Sequence, residues 1–275
     1  TGAVLSAADC VTALTGPVAG TCSVTLTATV AGSYAVSADL AGQALGGGNP
    51  VTAVFVAGAV TAGSSRVVIS AGPKTANGSD AYTITASAYD AQGNLNTSSV
   101  SSFSFSAPGA GASLSASTCS TTAGVCSVTL TATVAGSYAI TASLGGTAVG
   151  GGNPVTGVFV AGLPTAAQSR VAISAGPKLA NGVDSYTITA TAYDAQGNLS
   201  TASANVFDFS APAVGGSLSA SSCSTVAGSC SVTLTATVAG TYAITASIGG
   251  SLVGGSNPVS AVFVAGSPTA GGSRV

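Results

Sequence analysis

The chain has 275 residues, 46% of them hydrophobic and only 4% charged, where an ordinary soluble domain carries about a quarter charged residues. Seven Asp against five Lys or Arg, with no Glu and no His, give a net charge of −2. That excludes most chemistry at once: acid–base catalysis needs His or a tuned carboxyl, metal and phosphate sites need clustered ligands or cations, and nucleic-acid binding needs a basic face. The sequence is therefore read as non-enzymatic, with no catalytic residue, no cofactor, no metal and no nucleic-acid partner. Its scarce cations also argue against an anionic membrane surface, and no run reaches the roughly 18 apolar residues of a spanning helix, so no membrane insertion is expected in this segment.

Along the chain the first elements are fragments of a unit that recurs. "TGAVLSAADC" has neither the basic nor the apolar region of a signal peptide. Residues 1–58 match only the second half of that unit, complete copies follow at 66–162 and 170–266, and 267–275 starts another. Arg66, Arg170 and Arg274 are each separated by 104 positions, as are Cys22, Cys126 and Cys230, and Tyr34, Tyr138 and Tyr242. A period near 100 residues is the size of a whole small domain, too long for a solenoid unit. Because half a sandwich leaves its core open, the polypeptide is expected to continue on both sides, with "SRV" at 273–275 leading into a strand like "VAISAGPK".

Within one copy, apolar and polar residues alternate, which is the strand period. Val171 and Ile173 open the series; Tyr186, Ile188, Ala190 and Ala192 follow, then Phe207 and Phe209, and Leu218. In "SVTLTATV", Val128, Leu130, Ala132 and Val134 are expected on one face and Thr129, Thr131 and Thr133 on the other. Tyr242, Ile244 and Ala246 and the run "PVSAVFVAG" complete seven strands, separated by turns rich in Gly, Pro, Asn and Asp. No segment has a helical period. The pattern predicts an all-β protein of tandem Ig-like antiparallel β-sandwich domains with a light, Ala- and Val-rich core.

Six cysteines fall as Cys10/Cys22, Cys119/Cys126 and Cys223/Cys230, one close pair per copy. The spacing suits neither a zinc site nor haem attachment, so local disulfides are predicted. Closing an eight-residue loop stabilises by about 2.5 kcal/mol on the chain-entropy model, and such bonds imply an oxidising compartment.

"NGVDSYTITATAYDAQGN", "FDFSAP" and "CSVTLTATVAGTYAITASIGG" resemble the bacterial Ig-like group 1 repeat of invasin- and intimin-type surface proteins. The matching positions are Asn181-Gly182, Asp194 to Asn198, Phe207 to Phe209, and Ala239 to Tyr242. The resemblance implies an extracellular or cell-surface array that spaces or displays something.

Remaining features have modest readings. Asp90 and Asp194 lack the second acid a calcium site needs and are read as turn-forming Asx residues. Lys74 and Lys178 are read as solvated, the Thr rows as solvent faces, and the sequons at Asn77, Asn96 and Asn198 as chance. The last strand of each copy is apolar on both faces, so Phe55, Val158, Phe159, Val160 and Phe263 are predicted to form a packing surface for lateral or end-to-end contact with copies of the chain. The sequence thus reads as a structural rod that builds or extends a surface filament, sheath or stalk; the alternative is an adhesin whose domains bind a cell-surface receptor or glycan.

Overall fold

The computed structural model describes residues 2–12, 14 and 20–267, and among these every regular element is a β-strand. The further copy read at 267–275, with Arg274, lies outside the described residues except for Ser267.

The last complete copy shows the architecture. One sheet orders Arg170–Ile173, Ser185–Thr191, Ser229–Ala236 and Gly216–Leu218, all antiparallel. In the other layer Val259–Val264 lies between Lys178–Leu179, its parallel neighbour, and Gly240–Ile244. One residue later the same run resumes as Ala246–Ile248, pairing with Val206–Phe209, which Ser222–Ser224 flanks. The preceding copy repeats each pairing 104 positions earlier. Eleven strands therefore stand where the alternation shows seven. The additions, such as Lys178–Leu179 and Ser251–Leu252, are two or three residues long and too short to display a period.

Alternation decides what is buried. Tyr186, Ile188 and Ala190 point into the core while Thr187 faces solvent. Tyr186 and Tyr242 pack edge-to-face with Phe263 at 5.2 and 5.7 Å between ring centroids, and Tyr82 and Tyr138 pack in the same way with Phe159 at 5.2 and 5.9 Å. Each buried phenol finds an acceptor: the Tyr186 hydroxyl donates to the Val262 carbonyl and that of Tyr242 to Val238, both at 2.8 Å.

This placement corrects the predicted packing surface. Phe159 and Phe263 are 2% exposed and belong to the core, and Phe55 is half-buried. The pleat turns the neighbouring side chains the other way, leaving Val158 and Val262 at 42% and 44% exposure, with Val160 half-buried. Val134 is likewise exposed, because its strand ends at Ala132 and Val134 sits in the following turn.

The three cysteine pairs are bonded as disulfides. Cys223 lies opposite Phe207 in one sheet and Cys230 opposite Ala190 in the other, so a short covalent loop staples the two layers together. The double variant Cys223→Ser/Cys230→Ser should lose about 2.5 kcal/mol and melt roughly 10–20 °C lower in that copy, readable by calorimetry. A melting point unchanged on substitution would show that the staple is energetically idle.

Candidate functional site

Among the described residues no three His, Cys, Asp or Glu side chains gather where a metal could sit. The polar groups that do converge lie at the joints between copies.

The joint before the last copy is built on the loop Asp194 to Asn198. Oδ1 of Asp194 accepts the backbone N–H groups of Gln196 (2.9 Å) and Asn198 (2.8 Å), an Asx turn. Gly197 supplies the positive φ of 83° that the tight reversal requires. Oδ2 points toward the preceding copy, accepting the N–H of Gly162 in the connecting segment (2.8 Å) and the side-chain amide of Asn198 (3.0 Å). Asn198 then crosses the joint: its Oδ1 accepts the N–H of Ala135 at 2.8 Å, and its Nδ2 donates to the Thr133 carbonyl at 3.0 Å. The connecting segment is sewn down as well, with Thr165 N–H donating to the Tyr193 carbonyl and Gly254 N–H to that of Ala166. The guanidinium of Arg170 lies 5.4 Å above the Tyr193 ring.

A carboxylate at 1% exposure is costly unless its oxygens are satisfied, and four N–H donors satisfy this one. Burial pushes the pKa of Asp194 up, and the Asn198 amide with the backbone donors of Gly162, Asn198 and Gln196 pulls it down by more, leaving it below the usual value. At the earlier joint, Asp90 accepts from Gly58, Gln92 and Asn94, and Asn94 reaches Ala31 and Thr29, all at 2.8–2.9 Å. There the Asn94 amide is the strongest influence and holds Asp90 at about 2, against the opposing effect of burial.

The sequence identified Asp90 and Asp194 as turn-formers, which they are, and missed that their second oxygen and the closing asparagine tie one copy to the next. The available signal was the recurrence of Gly58, Asp90 and Asn94 as Gly162, Asp194 and Asn198. Asn96 and Asn198 are buried, their amides engaged, so neither sequon is accessible; Asn77 is exposed. Lys74 pairs with Asp80 at 3.4 Å on the surface.

Two sandwiches joined by the same buried polar clamp form a tandem Ig-like array. The chain belongs to the bacterial Ig-like domain (group 1) family, whose model matches residues 64–161 and 168–264. Among solved structures it is similar to FdeC, an Escherichia coli adhesin, at 23% identity and a TM-score of 0.52, covering 88% of this chain and 76% of that one. It is equally similar to invasin, a bacterial integrin-binding protein, at 23% identity and a TM-score of 0.52, covering 88% of this chain and 48% of that one. At such identity the likeness is one of fold. No curated protein matches the chain.

Proposed function

We propose that the chain is a non-enzymatic segment of an extracellular rod, in which tandem Ig-like sandwiches extend a surface stalk or filament. The observation that carries this reading is the Asp–Asn clamp, present at both joints with the same partners displaced by 104 positions. A joint that saturates a buried carboxylate and fixes the connecting segment holds neighbouring domains at one angle, whereas domains on a bare linker move freely. The three disulfides support an oxidising location at the cell surface. Val158 and Val262, exposed at equivalent positions, are the residues through which copies would pack laterally. Adhesion to a cell-surface receptor or glycan is the second reading, favoured by the fold shared with the adhesin FdeC and integrin-binding invasin.

Deleting residues 66–169 removes one full period and joins Ser65 to Arg170, so Asp194 and Asn198 meet Gly58, Ala31 and Thr29 in an unaltered joint. The shortened chain, displayed on cells, should appear by electron microscopy as a straight rod shorter by one domain, with tip reach reduced in step. If deletion leaves reach unchanged, the stalk reading fails. If adhesion is lost on substituting surface loops while reach is intact, the adhesive reading prevails.

A further inference from the structure

On a surface almost without charge, each complete copy carries one arginine at its joint with the copy before. Arg66 and Arg170 are both exposed, and each guanidinium stacks on a tyrosine, 5.2 Å above the Tyr89 ring and 5.4 Å above that of Tyr193. Lys74 has Asp80 as its partner, but neither arginine side chain makes an ion pair or hydrogen bond among the described residues. Beside Arg66 lies a groove of about 600 Å³, lined by the glycines at 150, 151 and 152 and by Gln92. Gly151 runs parallel to Arg66: its N–H donates to the Ser65 carbonyl at 3.1 Å, and its carbonyl accepts the Val67 N–H at 2.9 Å. A Cβ on Gly151 would fall 2.7 Å from Cγ of Arg66, and one on Gly150 would strike the Gly63 carbonyl. Only glycine lets the main chain lie this close, and it leaves that stretch of backbone bare. The side-chain amide of Gln92 bonds to none of the described residues, although its backbone N–H is held by Asp90 at 2.9 Å.

We propose that this groove binds a carboxylated sugar, the unit of an acidic polysaccharide, with the sugar's carboxylate on the Arg66 guanidinium. Stacking on Tyr89 holds the planar fork in place and leaves its N–H edge free for a two-point contact with a carboxylate. Both oxygens of the neighbouring Asp90 are already occupied by N–H donors, so that acid does not claim the arginine. Hydroxyls around a pyranose ring can meet the Gln92 amide and the bare main chain, where an acidic side chain offers only its carboxylate. The last copy keeps Arg170, Tyr193, Gln196, Gly254 and Gly255 at the equivalent positions. There Ala167, Gln168 and Ser256 replace Gly63, Ser64 and Gly152, so the second groove is the more crowded and the weaker of the two. Sites recurring at a fixed period suit a polymer, which gains by engaging more than one. The inference goes beyond the stalk reading and does not depend on it, because reach and sugar binding are measured separately.

The test titrates hexagalacturonate into the full chain, followed by calorimetry and by amide chemical shifts in NMR. Its methyl ester, the same shape without charge, and hexa-aspartate serve as controls. Saturable binding of the acid form is expected, weakened by salt, with shifts centred on Gln92, Gly93 and the glycines at 150–152. The ester and the peptide should each bind about tenfold more weakly or worse. Arg66→Gln should remove the stronger site and Arg66→Gln/Arg170→Gln both, with the melting temperature unchanged because the two side chains are exposed. Arg66→Lys, which keeps the charge and loses the fork, should fall between wild type and Arg66→Gln. Absence of saturable binding would overturn the proposal. So would equal binding of the ester or of hexa-aspartate, or undiminished binding by the double variant.

Discussion

Asp194→Ala is expected to destabilise the last copy by about 2–4 kcal/mol and to loosen its joint with the preceding one. The carboxylate is the shared acceptor of three backbone N–H groups and one side-chain amide, and its loss strands buried donors that only water can then satisfy. Asn198→Ala separates the two effects. It removes the contacts to Thr133 and Ala135 but leaves the backbone Asx turn of Asp194, so the angle between copies should broaden with a smaller fall in melting temperature. Small-angle scattering reads the angle, and calorimetry reads the stability. Acid supplies the same perturbation without mutation. A carboxyl whose folded pKa is depressed stabilises fully above its ordinary value and loses that contribution as pH falls through the depressed one. With Asp90 held at about 2 and an ordinary value of 3.8, the earlier joint should stay closed at neutral pH and loosen between about pH 4 and pH 2. A scattering profile that is identical for wild type and both variants, and flat to pH 2, would refute the clamp.

Phe159→Ala should cost about 3–5 kcal/mol in the copy at 64–161, the largest effect expected from any single truncation there. Its ring is 2% exposed and packs edge-to-face with Tyr82 and Tyr138, so the substitution opens a cavity and removes two aromatic contacts. Val158→Asp, one residue away on the outer face, should change stability by less than about 0.5 kcal/mol while weakening any lateral packing of copies. Chemical denaturation distinguishes the core position from the surface one, and sedimentation velocity reports association. Equal denaturation midpoints for the two variants would contradict the inward placement of Phe159.

How much of this was legible in the sequence depended on whether a feature has a period. Tyr186, Ile188, Ala190 and Ala192 announce a strand with one buried face, and the unvarying spacing of Arg66 and Arg170 announces a domain-sized unit. The sheet-crossing role of the cysteines was only half visible. Their proximity marks a disulfide, but that Cys223 and Cys230 lie in opposite layers follows from Ser222–Ser224 forming a strand too short to recognise. In the last strands, Val158, Phe159 and Val160 are all apolar, and composition alone cannot say which of them the pleat turns inward. The clamp was hidden for another reason. Asp194 and Asn198 are neighbours in a loop, and nothing local reveals that their remaining hydrogen-bonding capacity meets Gly162, Thr133 and Ala135 from the copy before.

Because the two joints use the same atoms at the same spacing, moving from one domain to the next is a fixed rotation combined with a fixed translation. Repeating one such operation generates a helix in the geometric sense, whatever the number of units. A gene that gains or loses whole copies by recombination between its near-identical segments therefore changes the length of the product while preserving its pitch and handedness. Partial copies break that symmetry at the point of exchange. On the proposed stalk reading, reach would change in whole-domain steps without redesigning a single contact.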